Sequence, residues 1–174
     1  MKFKIVFFSV ILLGVVSCKE PEARRPKKQG TTNFYKEVIA KNKKLNSLEK
    51  KRLENWVLKD TVHKYNLSES GFWYTYHVKG SVDSVNPKIE DEVLISYNIS
   101  DLNGNIIYDK KEKNYKIDKE DFIPGLQDGI KLMKKGETIT FVVPSYRAFG
   151  VTGDGNKING NQPIQSTVTL IEIK

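Results

Sequence analysis

The chain's 174 residues, 39% of them hydrophobic, are enough for one packed domain with a leader and a linker, but too few for two full domains. The formal net charge of +8 is uneven: residues 19–59 hold thirteen basic and five acidic side chains, whereas residues 60–174 hold fourteen basic and sixteen acidic ones. A nucleic-acid-binding protein normally carries its basic surface on the folded domain, so no nucleic-acid partner is expected.

The first eighteen residues have the pattern of an exported lipoprotein. The apolar run 5–16 follows a short basic start and is typical of an export signal, because a membrane-spanning helix needs about 20 apolar residues. The segment Val15-Val16-Ser17-Cys18 resembles a bacterial lipobox, which implies cleavage before Cys18 and acylation of this residue, for example with palmitate. Cys18 is the only cysteine, so it cannot form an internal disulfide. We expect residues 1–17 to be a signal peptide and Cys18 to anchor the protein in a membrane, on its periplasmic or cell-surface side; the alternative is an ordinary secretory peptide.

A tether and a helical segment follow the anchor. Residues 18–30 are rich in charge and proline and predict a flexible basic tether, which is either in contact with anionic head groups or simply solvated. Residues 31–66 carry apolar side chains at helical spacing. Within them, Asn46 and Glu49 have the spacing of a capping pair for a second helix. We expect Trp56 to pack within the chain, while the oligomeric state stays open.

The remaining sequence, residues 71–174, changes to a period of two. Alternation predicts strands at residues 72–78, 93–99, 106–109, 139–143 and 168–173. Asn103-Gly104 is a hairpin signal, and a short helix is predicted over residues 124–135, ending at Gly136. This order predicts an α+β domain in which a curved antiparallel sheet wraps around one short helix.

Two patterns that resemble ligand-binding loops are interpreted as turns. The loop at Asp101 lacks the late glutamate of a calcium site, and Gly150-x-x-Gly-x-Gly155 lacks the helix and Lys-Ser/Thr of a phosphate loop, so it is interpreted as a flexible flap. His63 and His77 have no catalytic or metal-binding pattern around them and are interpreted as structural or surface residues. Neither a metal nor a cofactor is expected.

Several motifs resemble those of one enzyme family. Residues 122–136, FIPGLQDGIKLMKKG, resemble the core motif of FKBP-type peptidyl-prolyl cis/trans isomerases. Residues 144–150 resemble the family's P-x-x-x-A-Y-G segment, and residues 93–109 resemble its V-x-x-H-Y…D-G…F-D pattern. The whole arrangement of lipobox, helical segment and isomerase domain is also similar to gliding-motility-associated isomerase lipoproteins of gliding bacteria.

The resemblance implies an FKBP-like fold and an isomerase that assists the folding of exported or cell-surface proteins by binding proline-containing clients. It implies a catalytic group of four residues, with Asp109 orienting ligand carbonyls and the backbone N–H of Ile123 holding the substrate carbonyl: Tyr108, Asp109, Ile123 and Phe149. It implies substrate-binding walls at Tyr97, Tyr115, Phe122, Leu126, Ile158 and Leu170. Three of these also lie at core-facing positions of their elements: Tyr97, Phe122 and Leu170.

Three departures from the family bear on how its residue roles carry over. Leu126 stands where the family often has tryptophan, which is a common substitution and is expected to be tolerated. Phe149 stands where the family has tyrosine, and the loop 151–162 does not align closely. Losing the tyrosine hydroxyl removes a hydrogen bond worth about 0.5 to 1.5 kcal/mol, so reduced activity is expected. Phe149 and the unusual loop 151–162 leave two alternatives open: a non-catalytic FKBP-fold chaperone or scaffold that binds a partner segment, and a periplasmic ligand-binding protein.

Overall fold

The structure is a computed structural model that describes residues 31–81 and 84–174. The predicted signal peptide and tether, with Cys18, lie outside these residues. The chain divides into two compact units, Met1–Ile39 and Ala40–Lys174. None of the helices in the described ranges has the length and apolar character needed to cross a membrane. Anchoring through Cys18 stays a prediction.

The first described element is one long helix. Helix α1 runs over Thr31–Lys59 without a break at Asn46, so the predicted capping pair and second helix are wrong. The reason is that Glu49 has a different partner: its carboxylate is buried and bonded to Ser145, 96 residues further along the chain. In the first unit, Phe34 and Tyr35 of this helix are exposed.

Six antiparallel strands form one curled sheet in the order β1-β2-β5-β6-β3-β4. The strands are β1 Asn66–Leu67, β2 Trp73–Val78, β3 Glu92–Ser100, β4 Ile106–Lys116, β5 Thr138–Val143 and β6 Ile164–Ile173. Helix α2 spans Pro124–Lys131, and a 3₁₀ turn, Ser145–Arg147, follows β5. The predicted α+β fold is confirmed.

Several element boundaries differ from the prediction. Strand β4 continues to Lys116, seven residues beyond the predicted end, because it stays paired with β3 as far as that residue. The sequence did not predict this part because the exposed polar side chains of an edge strand show no apolar alternation. Helix α2 ends at Lys131, four residues early, and Gly136 takes its positive φ of 83° in the turn before β5. The two-residue strand β1 was too short to predict.

The inner face of the sheet packs on α2. Leu126 and Ile130 of the helix and Met133 just after it are fully buried in the main core. Gly129 permits this close approach, since a Cβ at this position would lie 2.6 Å from Cε1 of Phe141 on β5. Burial of this apolar face accounts for the stability of so short a helix.

The outer face of the sheet is covered in the second unit by α1. Leu53 packs with Trp73 and Val142, a cross-strand pair of β2 and β5, and all three are buried. Trp56 packs within the chain as expected, with its ring centroid 5.8 Å from that of Tyr65. Residues of the predicted helical segment and of the predicted sheet domain therefore share one apolar cluster.

Candidate functional site

A cavity of about 550 Å³ opens between β3, β4, the start of α2 and the segments that follow β5. It is lined by Tyr97, Ile99, Tyr108, Lys111, Asp121, Phe122, Ile123, Pro124, Ala148, Phe149 and Asp154. Most of these side chains are aromatic or aliphatic, and the volume falls within the range of small-molecule and peptide pockets.

A β-bulge decides which side chains of β4 reach the cavity. Ile99 pairs with Tyr108 and Tyr97 pairs with Lys111, so two residues of β4 lie opposite one residue of β3. This extra residue reverses the alternation and brings Tyr108 and Lys111 to the same side. Asp109 lies in the bulge, its side chain is exposed and it does not line the cavity. The role predicted for Asp109 as the pocket acid therefore finds no support in this geometry.

The wall beside α2 is built from aromatic rings in contact with one another. The Tyr97 and Phe122 rings meet edge to face with centroids 5.1 Å apart, and the Tyr115 ring lies 5.4 Å from that of Phe122. Tyr115 is fully buried, so it supports Phe122 from behind and does not line the cavity. Such contacts hold the rings in a fixed orientation.

A backbone donor lies at the edge of this aromatic wall. Ile123 is in an extended conformation immediately before α2, where its carbonyl accepts the first helical N–H groups, those of Leu126 and Gln127, both at 2.9 Å. Pro124 follows at the first helical position, which suits its fixed φ. In the described part of the chain, the N–H of Ile123 has no hydrogen-bond acceptor. This donor can bind a substrate carbonyl.

Asp154 is an acid at the cavity that sequence reasoning missed, and Asp121 also lines it. The hydroxyl of Tyr108 donates a hydrogen bond to Oδ2 of Asp154, while Oδ1 of Asp154 accepts the N–H groups of Asn156 at 2.9 Å and Ile158 at 2.8 Å. The Tyr108 hydrogen bond lowers the pKa of Asp154, and the same bond raises the pKa of Tyr108. Aspartate often bonds the backbone amide two residues later in a turn, as Asp154 does with Asn156. The sequence Asp154-Gly155 is typical of such a turn and could have indicated it.

The loop 150–162 is held by several internal contacts. Gly153 has φ of 72°, and a Cβ there would lie 2.1 Å from the carbonyl oxygen of Ile158, so only glycine fits. Ile158 is 3% exposed and packs in the main core. The loop closes where the N–H of Asn161 donates to the carbonyl of Gly150 at 2.8 Å.

Three lysines place their ammonium groups over the aromatic rings of the cavity. Lys157 lies 5.2 Å from the Tyr108 ring centroid and Lys111 lies 5.4 Å from that of Tyr97, while Lys113 lies 6.0 Å from that of Phe122. Each such contact at a solvent-exposed rim contributes about 0.5 to 1 kcal/mol. Lysine ammonium groups therefore lie beside the aromatic rings, while Asp121 and Asp154 add carboxylates to the lining of a mostly apolar cavity.

A family model described as FKBP-type peptidyl-prolyl cis-trans isomerase matches residues 83–171, just over half of the chain. This chain belongs to that family. The FKBP-type region begins before β3 and ends within β6, so it contains every residue that lines the cavity. Helix α1 lies outside it.

One curated protein and two solved structures illustrate what this chain is similar to. The probable FKBP-type isomerase FkpA of Neisseria meningitidis serogroup B is 25% identical over 118 residues, which cover 67% of this chain but only 43% of that protein. The structure of FkpA from Escherichia coli has a TM-score of 0.61 at 21% identity and covers 98% of this chain and 82% of that one. An isomerase from Pseudomonas syringae pv. tomato has the same TM-score at 20% identity, over 74% of this chain and 95% of that one. The two structures show a shared fold.

The residues predicted for the FKBP-type pocket divide into two layers. Five line the cavity: Tyr97, Tyr108, Phe122, Ile123 and Phe149. Four are buried in the core and do not line it: Tyr115, Leu126, Ile158 and Leu170. Nine of the ten predicted residues therefore lie either at the cavity or in the core, and Asp109 lies in neither group.

A second cavity of about 340 Å³ lies outside the FKBP-type pocket, near the end of α1. Nδ1 of His63 lies 2.9 Å from Oδ2 of Asp60, and this hydrogen bond lowers the pKa of Asp60 to about 2. Nε2 of His77 lies 2.8 Å from the hydroxyl of Thr140. Both histidines are exposed, as predicted for surface residues. Within the described ranges, no group of three His, Cys, Asp or Glu side chains is arranged to hold a metal ion.

Proposed function

We propose that the protein catalyses the cis/trans isomerisation of X-Pro bonds in polypeptide clients. One observation carries this proposal: an apolar aromatic cavity has the unpaired N–H of Ile123 at its edge. The cavity accommodates a proline ring, and the N–H binds the carbonyl of a neighbouring residue. Membership of the FKBP-type isomerase family supports the assignment.

The reaction requires no acid, base or nucleophile. Amide resonance makes the barrier to rotation about 18 to 20 kcal/mol, and the transition state is a twisted amide in which this resonance is lost. The carbonyl oxygen of a twisted amide is less polar than that of a planar one, so transfer from water into an apolar cavity favours the twisted state. The rings of Tyr97, Phe122 and Phe149 provide this environment.

The experiment is a protease-free, proline-limited refolding assay with the full chain. Replacing Tyr108 by alanine removes a wall ring whose burial against substrate is worth about 1.5 to 3 kcal/mol, so kcat/KM is expected to fall about ten- to hundred-fold. Tyr35→Ala, at an exposed position of α1, is the matched control and should leave the rate unchanged. Absence of rate enhancement by the unaltered chain would refute the proposal.

A non-catalytic chaperone or scaffold is the second candidate, and Phe149 is the residue that favours it. A groove without the family's tyrosine hydroxyl retains apolar binding and loses one donor to the substrate. The same assay separates the two functions. Tight binding of an unfolded client by a chain that does not accelerate refolding supports the scaffold.

We further propose that the protein acts outside the cytoplasm, anchored in a membrane through lipid on Cys18. The proposal is supported by the lipobox-like segment and by the absence of other cysteines. Labelled palmitate should enter the protein in cells and be absent from the Cys18→Ala variant. Labelling of that variant to the same extent would contradict lipid attachment at Cys18.

The proposed clients are exported or cell-surface proteins, including components of a gliding-motility apparatus. The motility proposal is supported by the sequence arrangement of lipobox, helical segment and FKBP-type domain. A photo-crosslinker at Lys111, on the rim of the cavity, should capture the clients in cells. Capture of cytoplasmic proteins alone would contradict this assignment.

A further inference from the structure

A carboxylate of α1 is buried against the segment that forms one wall of the cavity. Glu49 is 4% exposed, and its two oxygens accept the backbone N–H and the hydroxyl of Ser145, each at 2.6 Å. Among the described residues, Glu49 forms no ion pair. Hydrogen bonds alone therefore compensate for removing this carboxylate from water.

Ser145 in turn holds both neighbours of Phe149. Its carbonyl accepts the N–H of Ala148 at 2.9 Å and the N–H of Gly150 at 2.8 Å. Ala148 and Phe149 both line the cavity. The position of Ser145 therefore determines where the Phe149 ring lies.

A second acid contacts the same short segment. Arg147 donates a hydrogen bond to Asp128, which belongs to α2. The 3₁₀ turn is thus bonded to carboxylates of both helices. Only α2 lies within the family-matched residues 83–171, so Glu49 is an addition from outside the FKBP-type region.

We propose that Glu49 is a positioning residue for the isomerase site, which acts through Ser145 to fix the Phe149 wall against the bound proline. This inference rests on the proposed isomerase function. Stability alone gives little reason for a carboxylate here, because a well-packed apolar side chain beside Leu53 avoids its desolvation. A fully bonded polar pair instead imposes one geometry on the segment, which a preorganised site requires.

The test compares kcat/KM of Glu49→Gln and of the unaltered full chain in the proline-limited assay, at a temperature where both are fully folded. We expect a reduction of five-fold or more, mainly in kcat. Glu54→Gln is the matched control, since Glu54 lies on the same helix and, among the described residues, its ion pair is with the exposed Lys50. If Glu49→Gln does not fold, Ser145→Ala takes its place, because it removes one of the two hydrogen bonds and keeps the other.

A double-mutant cycle distinguishes positioning from a general structural effect. In a Phe149→Ala background, Glu49→Gln should cause no further loss of kcat/KM, because the ring that it positions is absent. Additive losses would overturn the proposal. Equal activity of Glu49→Gln and the unaltered chain would also overturn it.

A readout that does not depend on catalysis separates this inference from the proposed function. A fluorine label on the Phe149 ring should change its ¹⁹F chemical shift in Glu49→Gln and keep it in Glu54→Gln. An unchanged shift overturns positioning by Glu49, whatever the activity. If the unaltered chain is inactive but the Phe149 shift still changes in Glu49→Gln, only the isomerase assignment is refuted. Glu49 then positions the wall of a binding groove.

Discussion

At the scale of single residues, Phe149 determines how far this site departs from its family. The ring keeps the apolar wall that a twisted amide requires, and it lacks the hydroxyl that the family's tyrosine offers to a substrate carbonyl. The loss is one hydrogen bond, whereas the cavity, the free Ile123 amide and the aromatic wall are all retained. We therefore expect an enzyme of lowered activity that a single substitution improves.

Phe149→Tyr should raise kcat/KM by about two- to ten-fold, since one hydrogen bond contributes about 0.5 to 1.5 kcal/mol. The measurement is the proline-limited refolding rate at several enzyme concentrations. Phe34→Tyr, which adds a hydroxyl at an exposed position of α1, should have no effect. An unchanged or lower rate for Phe149→Tyr would show that position 149 offers no useful donor.

Asp60 gives a second prediction at this scale, concerning pH. Its folded-state pKa is lowered from 3.8 to about 2 by the His63 hydrogen bond, so its stabilisation is present above pH 3.8 and is lost as the pH falls towards 2. Urea unfolding should show Asp60→Asn less stable than the unaltered chain at pH 5, with the difference shrinking as the pH approaches 2. Glu172→Gln, at an exposed position, should show no such trend. A difference that stays constant over this range would contradict the assigned pair.

At the scale of elements, the approach of α2 to the sheet depends on Gly129. Gly129→Ala improves intrinsic helix propensity by about 1 kcal/mol, yet its Cβ would lie 2.6 to 3.0 Å from three ring atoms of Phe141. Overpacking of this kind costs about 1 to 3 kcal/mol, so we expect net destabilisation in urea unfolding. Adding Phe141→Leu should relieve part of the loss, because the smaller side chain removes the clash. If the stability losses of Gly129→Ala and Phe141→Leu simply add in the double variant, positions 129 and 141 are not in direct contact.

The length and side-chain orientation of edge strand β4 depend on its pairing with β3 as well as on its own hydrophobic pattern. Apolar alternation ends soon after Tyr108, and the strand continues because β3 supplies hydrogen-bond partners as far as Lys116. The bulge at Asp109 then changes which side chains face the cavity. A local pattern contains no information about either effect, since both depend on pairing with another strand.

At the scale of the whole molecule, α1 from Ala40 onwards belongs to the folding unit of the sheet. Its Leu53 closes the cluster on the outer face, and its Glu49 reaches the wall of the site. The FKBP-type region alone therefore does not contain all the contacts that shape its cavity. Stability and activity should both respond to changes in the helix.

Leu53→Ala should destabilise the unit by about 2 to 5 kcal/mol, the usual cost of a buried leucine. Far-UV circular dichroism and the fluorescence of Trp56 and Trp73, the two tryptophans of the chain, should report one shared transition. Leu58→Ala, at a position 78% exposed on the same helix, should change stability by less than about 0.5 kcal/mol. An unchanged midpoint for Leu53→Ala would mean that the sheet is stable without the helix.

Local information in the amino-acid sequence was sufficient for the class of fold, the main strands, the presence and start of the helix at Pro124, and the family. Each of these follows from side-chain periodicity or from short motifs, which report burial and backbone geometry within one element. The tertiary structure alone decided that Tyr108 bonds Asp154, that Asp109 does not line the cavity, and that Glu49 bonds Ser145. These contacts join residues 46 and 96 positions apart, and chain folding brings such residues together through strand pairing and packing that no local pattern encodes.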